Sequence, residues 1–236
     1  MTVFSIILIT SCNEDEEIET VQYQMTLVTQ NANVKIRIAG FGTITIDWGD
    51  KSAIETYTLY GSTAGMQNFS HDYSGSSSHT ITVSGNDITD FYCNSQGISH
   101  LDITNNPVLT YISCGWNQLQ QLDVSKNIAL LALNCNNNEL MSIDVSKNPI
   151  LIQLYCQGNK ITKLDLNRNY YLAYLSCQYN NLSAEALNAM FQTLHNFMFS
   201  GNLSTKRAII AENPGTDNCN TSIAEKKGWS VISTIP

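Results

Sequence analysis

The sequence predicts a mainly β protein with few helices, in which short units of one repeated pattern stack into an elongated solenoid. Three observations lead to this fold class. Five cysteines recur every 21 residues without a shift, at Cys93, Cys114, Cys135, Cys156 and Cys177. Columns of aliphatic residues and of asparagines share this spacing. Within each unit apolar and polar side chains alternate, which is the period of a half-buried strand. Parallel stacking of such units buries the apolar columns in one continuous core.

Residues 1–19 are predicted to be a lipoprotein signal peptide followed by an acidic tether. The apolar run 3–10 is too short to span a bilayer, which takes about 20 residues. It ends in I-T-S-C, which resembles the lipobox of bacterial lipoproteins. The resemblance implies cleavage before Cys12, lipidation of Cys12 and anchoring in the outer membrane or at the cell surface of a Gram-negative bacterium. The five acids within residues 14–19 then keep the folded part away from the membrane.

Residues 20–87 are predicted to form a small all-β domain, because alternating stretches such as V-K-I-R-I at 34–38 are parted by Gly, Ser and Asn. The motifs D-W-G-D at 47–50, H-D-Y at 71–73 and H-T-I-T-V at 79–83 resemble those of β-sandwiches of the polycystic-kidney-disease type. The resemblance implies an immunoglobulin-like sandwich that caps the first repeat. Its aspartates Asp47, Asp50 and Asp72 either hold calcium or form turns.

Residues 88–182 are predicted to hold five repeats of the pattern L-x-x-L-x-C-x-x-N-x-L-x-x-L-D-x-S-x-N-x-x. The pattern resembles the leucine-rich repeat, and this resemblance implies a right-handed solenoid with one short parallel strand per unit. The asparagine after each strand can satisfy buried backbone groups of its turn. Gln96 holds that place in the first unit, which predicts an imperfect first turn. A 21-residue unit leaves little room for a helix, so we expect extended or turn-like convex segments.

The cysteine column has two interpretations, a metal site or a row of small buried hydrophobes. Zinc ligands converge tetrahedrally, whereas equivalent side chains on stacked strands stay parallel and about 4.8 Å apart. The same geometry disfavours disulfides between neighbouring units. We therefore expect buried free thiols and no metal.

Residues 183–236 are predicted to form a C-terminal cap of helix and strand. Ser183 is a candidate N-cap, and an amphipathic helical pattern follows it. A last strand at 208–211, a short helix at 222–227 and an extended piece at 229–231 are expected to complete the cap. Such material hides the last apolar face of a solenoid.

Composition and motifs argue against several classes of function. The chain carries 20 acids and 12 bases, without the basic cluster that nucleic-acid binding requires. Four histidines are scattered, and the motifs typical of hydrolases, zinc proteases and phosphate-binding loops are missing from the sequence. The aspartates in register with Asp102 are expected to accept hydrogen bonds from their own turns. We therefore predict no enzyme activity and no cofactor.

The outward positions of the predicted strands and turns are rich in aromatic and amide side chains, which is the composition of a recognition surface. The sequence therefore predicts a monomeric protein that binds a protein or glycan through the concave face of its repeats. The repeats resemble those of internalin-like surface proteins, which implies adhesion or host contact. A carbohydrate-capture lipoprotein and a purely structural surface protein are the alternatives, and in the structural alternative the tyrosines only pad neighbouring strands. The candidate ligand-binding residues are Tyr92, Tyr111, Trp116, Asn134, Asn136, Tyr155, Tyr174 and Tyr179.

Overall fold

The computed structural model describes residues 23–61, 65–75, 77–197 and 205–234. It confirms a mainly β leucine-rich-repeat solenoid, in which strand pairing links all thirteen described strands. The strands are β1 (Gln24–Thr29), β2 (Asn33–Asp47), β3 (Glu55–Gly61), β4 (Gln67–Asp72), β5 (His79–Ser84), β6 (Asp87–Tyr92), β7 (Ile98–Asp102), β8 (Tyr111–Ser113), β9 (Ala132–Asn134), β10 (Gln153–Tyr155), β11 (Tyr174–Ser176), β12 (Lys206–Ile209) and β13 (Trp229–Ile232). The helices are α1 (Ala184–Thr193) and α2 (Ser222–Glu225). The predicted signal peptide, tether and lipidation site Cys12 lie outside the described residues.

The repeat strands β6, β8, β9, β10 and β11 pair in parallel, and equivalent residues of successive repeats are register partners. Their central residues point into the core, so that Phe91, Ile112 and Leu133 are fully buried. The five cysteines follow as the next buried column, at 0–1% exposure. They are free thiols, as the parallel arrangement requires. The return legs of the second to fourth repeats are turns and irregular backbone, as expected, whereas the return leg of the first repeat contains β7 and that of the fifth contains α1.

Two asparagine ladders satisfy the backbone groups that the turns leave inside. In the first ladder the Nδ2 of Asn159 donates to the carbonyl oxygens of Cys135 and Cys156, each at 3.0 Å. Its Oδ1 accepts the N–H of Leu140 at 3.0 Å. In the second ladder the Nδ2 of Asn148 donates to two carbonyl oxygens of the preceding repeat. Each asparagine thus joins two neighbouring repeats through its donated hydrogen bonds, because buried amide N–H groups need acceptors. Among the described residues the buried Oδ1 of Asn148 accepts no hydrogen bond, so only the first ladder uses its acceptors.

The N-terminal strands form two sheets that share the long strand β2. The first half of β2 lies between β4 and β6, and its second half lies between β3 and β5. The strand changes partners at Gly40, where φ is +152° and an added Cβ would lie 2.1 Å from the carbonyl oxygen of Asp87. Beyond β5 the second sheet continues through β1 to β7. Since β6 and β7 both belong to the first repeat, each sheet runs on into that repeat.

The motifs compared with sandwich proteins converge on one aromatic cluster. The Trp48 and His71 rings stack at 5.1 Å, and the Tyr73 and His79 rings stack at 3.8 Å. The Tyr73 hydroxyl donates to the carbonyl oxygen of Trp48 at 2.7 Å. The cluster therefore joins β2 to the segments around β4 and β5, while the proposed kinship with polycystic-kidney-disease-type domains stays a prediction.

The repeat register continues beyond residue 182, where the sequence pattern becomes irregular. The strand β12 pairs in parallel with β11, and β13 pairs in parallel with β12. Asn213 takes the ladder position after β12, because its Nδ2 donates to the carbonyl oxygens of Cys177 and Ile210. The helix α1 forms the return leg between β11 and β12, and its N-cap is Ser183 as predicted, whose Oγ accepts the N–H of Ala186. The helix therefore lengthens the fifth coil, and the strand β12 begins a sixth.

Candidate functional site

The concave face is defined here as the solvent-facing side of strands β6 to β12 together with the turn residues that follow those strands. Two columns of outward side chains come from the strands, and two more come from the turns. The strand columns are Asp90, Tyr111, Ala132, Gln153, Tyr174 and Arg207, and Tyr92, Ser113, Asn134, Tyr155 and Ser176. The turn columns are Asn94, Gly115, Asn136, Gln157 and Gln178, and Ser95, Trp116, Asn137, Gly158 and Tyr179. All eight residues predicted from the sequence fall in these columns.

The four strand tyrosines form two pairs of rings. Tyr92 stacks on Tyr111, with centroids 5.0 Å apart and planes 11° from parallel. Tyr155 packs on Tyr174 at 4.9 Å with a tilt of 35°. Burial, with smaller contributions from the neighbouring Tyr111 and Asp90, raises the pKa of Tyr92 to about 12. The Tyr92 phenol is therefore neutral at physiological pH, and the ring contact within each pair stabilises adjacent strands.

Trp116 and Tyr179 are held in a different way, at the turn position after the strand. Both have left-handed backbone, with φ of 58° and 55°, and the equivalent residues Asn137 and Gly158 share that conformation. The N–H of Trp116 donates to the carbonyl oxygen of Asn136 in the next repeat, at 2.9 Å, and this bond fixes the turn. A left-handed conformation costs a side-chain-bearing residue about 1–2 kcal/mol, while glycine and asparagine adopt it routinely. An aromatic side chain here is thus unfavourable for the turn itself.

These two aromatics are also well exposed. Trp116 is 64% exposed and Tyr179 is 53% exposed. Within the described part of the chain, neither ring stacks on another aromatic ring. They stand three repeats apart, which is roughly 14 Å at the ordinary strand spacing. Between them lie amides such as Asn134 and Asn136. The Oδ1 of Asn134 accepts the backbone N–H of Asn136 at 3.2 Å.

The carboxylates of the return legs act locally, as expected for turn-forming aspartates. The carboxylates of Asp123 and Asp144 accept the backbone N–H groups of Ser125 and Ser146, each at 2.8 Å. These hydrogen bonds lower the pKa of both aspartates. The two carboxylates are thus already engaged in the turns of their own repeats.

The described residues contain no group of three or more histidine, cysteine or acidic side chains arranged to hold a metal ion. Burial raises the pKa of Cys135 to about 12, so this thiol is a poor metal ligand and a poor nucleophile. In the N-terminal β unit, Asp50 pairs with His71 at 2.7 Å and accepts the N–H of Ser52 at 2.9 Å. Asp47 accepts the N–H of Gly49 in the same way. Both aspartates therefore bond within their own part of the β unit.

The sheet of the concave face extends beyond the repeats, which the sequence did not reveal. In antiparallel register β6 pairs with β2, and β2 pairs with β4. The exposed Lys35 and Arg37 of β2 therefore stand on the same side of the sheet as Tyr92. The alternation of residues 34–38 predicted the strand. It carries no information about the neighbouring strand, so these cations were missing from the predicted site.

The role of Gln96 also differs from the expectation. It occupies the ladder position of the first repeat, where an imperfect turn was predicted. Its Oε1 accepts the N–H of Lys35 at 2.6 Å, and its Nε2 donates to the carbonyl oxygen of Asn94 at 2.7 Å. The longer side chain thus reaches β2 instead of a preceding repeat. It closes the seam between the N-terminal strands and the first repeat.

Comparisons with known proteins give structural neighbours only. No protein-family model matches the chain, and no curated protein sequence matches it either. One similar structure is the functional domain of InlJ from Listeria monocytogenes, which includes a cysteine ladder. It is 28% identical to this chain with a TM-score of 0.40, and the match covers 60% of this chain and 33% of that chain. An internalin of the same species, InlF, is 13% identical with a TM-score of 0.40, covering 61% and 46% of the two chains.

A leucine-rich-repeat protein of Leptospira interrogans is 19% identical to this chain, with a TM-score of 0.32 over 55% and 44% of the two chains. The chain thus matches between a third and a half of the length of each of these structures. Neither helix in the described ranges has the length and hydropathy needed to cross a membrane. By its own repeats, strand register and asparagine ladders, the chain has the leucine-rich-repeat fold.

Proposed function

We propose that this protein is a non-catalytic recognition protein that binds a protein or glycan ligand through the concave face. The observation that carries the proposal is the placement of Trp116 and Tyr179. Both occupy a left-handed turn position that favours glycine or asparagine, and both are exposed by more than half. Among the described residues neither ring stacks on another aromatic ring or forms a side-chain hydrogen bond, whereas a ligand gains two rigid aromatic surfaces.

The surface between these aromatics fits the same role. Amide and hydroxyl side chains, such as those of Asn134 and Gln153, offer hydrogen-bond donors and acceptors at fixed intervals along the sheet. The paired tyrosines add apolar area and hydroxyl groups. Recognition surfaces combine these residue types because aromatic rings lose little conformational entropy on binding while amides adapt to polar partners.

The site of action is proposed to be the cell surface. The predicted lipidation at Cys12 would anchor the chain in the outer membrane of a Gram-negative bacterium, and the acidic run after it would act as the tether. Adhesion or host contact by a monomer is the preferred role. Mass spectrometry of the chain recovered from membranes tests the anchor, since a chain still starting at Met1 without a lipid would contradict it.

Carbohydrate capture is the second candidate, and one observation favours it. The faces of the Trp116 and Tyr179 rings are free of aromatic partners among the described residues, so sugar rings can stack on them. The strand tyrosines are less suited to stacking, because Tyr92 already packs on Tyr111.

Parallel glycan and protein arrays separate these roles. The probe is the full chain with Cys12→Ser, which removes the predicted lipidation site. Glycan binding that is lost in Trp116→Ala and Tyr179→Ala supports carbohydrate capture, whereas protein binding lost in the same variants supports adhesion. Tyr60→Ala is the matched control, because Tyr60 is an exposed tyrosine of β3 that lies away from the concave face. If neither array gives binding that depends on these residues, a structural role replaces the proposal.

A further inference from the structure

The N-terminal strands extend the concave face and add two cations to it. Lys35 and Arg37 lie on β2 as alternate residues of one strand, so their Cα atoms are about 6.7 Å apart and both side chains leave the same face. Directly opposite on β4 are Ser70 and Asn68. Opposite Arg37 on the other side is Tyr92, the first aromatic residue of the repeats.

A groove of about 470 Å³ lies over this junction. Its walls include Lys35, Arg37, Asn68, Ser70, Tyr92 and Asn94. Neither cation forms an ion pair within the described part of the chain. Two like charges on one strand face repel each other, and a bound anion would relieve this repulsion. The groove therefore combines a concave shape, unpaired positive charge and neutral hydrogen-bonding side chains.

Arg37 is oriented before any ligand arrives. Its guanidinium carbon lies 5.3 Å from the centre of the Tyr92 ring, and the Tyr92 ring in turn stacks on Tyr111. A guanidinium fixed over a ring keeps its N–H groups free at the edge of the plane, where a carboxylate accepts two of them. Gln96 holds the adjoining backbone, since it accepts the N–H of Lys35. Less conformational entropy is then lost when the anion binds.

From this geometry we infer that the groove at Lys35 and Arg37 binds carboxylate side chains of an extended acidic peptide segment of the partner. This inference rests on the proposed function, because the remainder of the same partner is taken to bind the concave face. Acidic residues two positions apart on an extended peptide have the same spacing as the two cations. A glycan fits less well here, because the Tyr92 ring contacts both Arg37 and Tyr111 and leaves no free aromatic face for a sugar.

The test uses two short peptides and the full chain carrying Cys12→Ser. The peptide Glu-Ser-Glu-Ser-Glu-Ser places carboxylates at alternate positions, and Gln-Ser-Gln-Ser-Gln-Ser is its neutral counterpart. Titrations followed by NMR are expected to show binding of the acidic peptide alone, with shifts at Arg37 and Tyr92. Lys35→Gln with Arg37→Gln should raise the Kd at least tenfold, and Arg37→Lys should raise it about threefold because the bidentate fork is lost.

The matched control is Lys126→Gln with Lys147→Gln, which removes two exposed charges from the return legs and should change the Kd less than twofold. Equal losses in both double variants, or equal binding of both peptides, would overturn the site. An oligogalacturonate that binds more tightly than the peptide through the same two cations would overturn the assignment to a peptide. Tyr60→Ala should leave the peptide Kd unchanged. The peptide titration does not involve the array ligand, so this test and the test of the proposed function fail independently.

Discussion

Replacing Asn180 with alanine is expected to destabilise the chain by roughly 4 kcal/mol. The Nδ2 of Asn180 donates to the carbonyl oxygens of Cys156 and Cys177 at 3.0 and 3.1 Å, and its Oδ1 accepts the N–H of Ile161 at 3.0 Å. The two carbonyl oxygens each keep one donor, from Asn159 and Asn213. The Ile161 N–H keeps none among the described residues. Leaving the buried Ile161 N–H without an acceptor costs about 1–3 kcal/mol, and each of the two lost hydrogen bonds to carbonyl oxygens costs about 0.5–1.5 kcal/mol, which gives a total of about 2–6 kcal/mol.

Urea unfolding of the parent chain and the variant measures this free energy. The matched control is Asn181→Ala, since Asn181 is exposed and makes only a backbone hydrogen bond to Ile161. This control should stay within about 0.5 kcal/mol of the parent chain. If Asn180→Ala also unfolds within 0.5 kcal/mol of the parent, the ladder does not stabilise the repeats as argued.

Three further predictions concern the thiols, the cap and the return legs. In the folded chain at pH 8, iodoacetamide should modify Cys219 long before the five cysteines of the column, because those five are buried. Burial also raises their pKa, to about 12 for Cys177, so few thiolates are available to react. Equal modification rates measured by mass spectrometry would contradict this. Ser183→Ala should cost about 0.5–2 kcal/mol in urea unfolding through loss of the α1 N-cap, while Ser183→Gly should cost less, and a reversed order would argue against capping. Because hydrogen bonds lower the folded-state pKa of Asp123 and Asp144, they contribute stability above about pH 4 that is lost as the pH falls further; Asp144→Asn should make the urea midpoint less sensitive to pH between 6 and 3, and an unchanged sensitivity would count against it.

The sequence predicted the repeat region well because its information is periodic. A residue type that recurs every 21 positions reports a shared environment, so the buried column around Cys135 and the ladder around Asn159 follow from the sequence alone. The sixth coil does not, because α1 lengthens the fifth coil and interrupts the period before β12. Its strand still matches the pattern at Ala208, Ile210 and Asn213, and that match is the signal that could have found it.

The N-terminal strands were harder to predict for a physical reason. Alternation in a sequence reports that a strand has one buried face, and it does not report which distant strand is its neighbour. The pairing of β2 with β6 therefore could not be anticipated, and neither could the placement of Arg37 against Tyr92. The outward positions of the candidate site followed directly from the repeat register. The contacts among the tyrosines depended on diagonal packing between repeats, which the register alone does not give.

The central functional claim is that Trp116 and Tyr179 are kept for a ligand at the expense of their turns. Its most direct test measures urea unfolding and array binding of one double variant, Trp116→Gly with Tyr179→Gly. Glycine suits the left-handed backbone at both positions, so the variant should unfold at equal or higher free energy, by up to roughly 1 kcal/mol per site. Binding to the ligand found on the arrays should fall at least tenfold. A variant that is destabilised and yet binds as well as the parent chain would show that the two aromatics serve the fold.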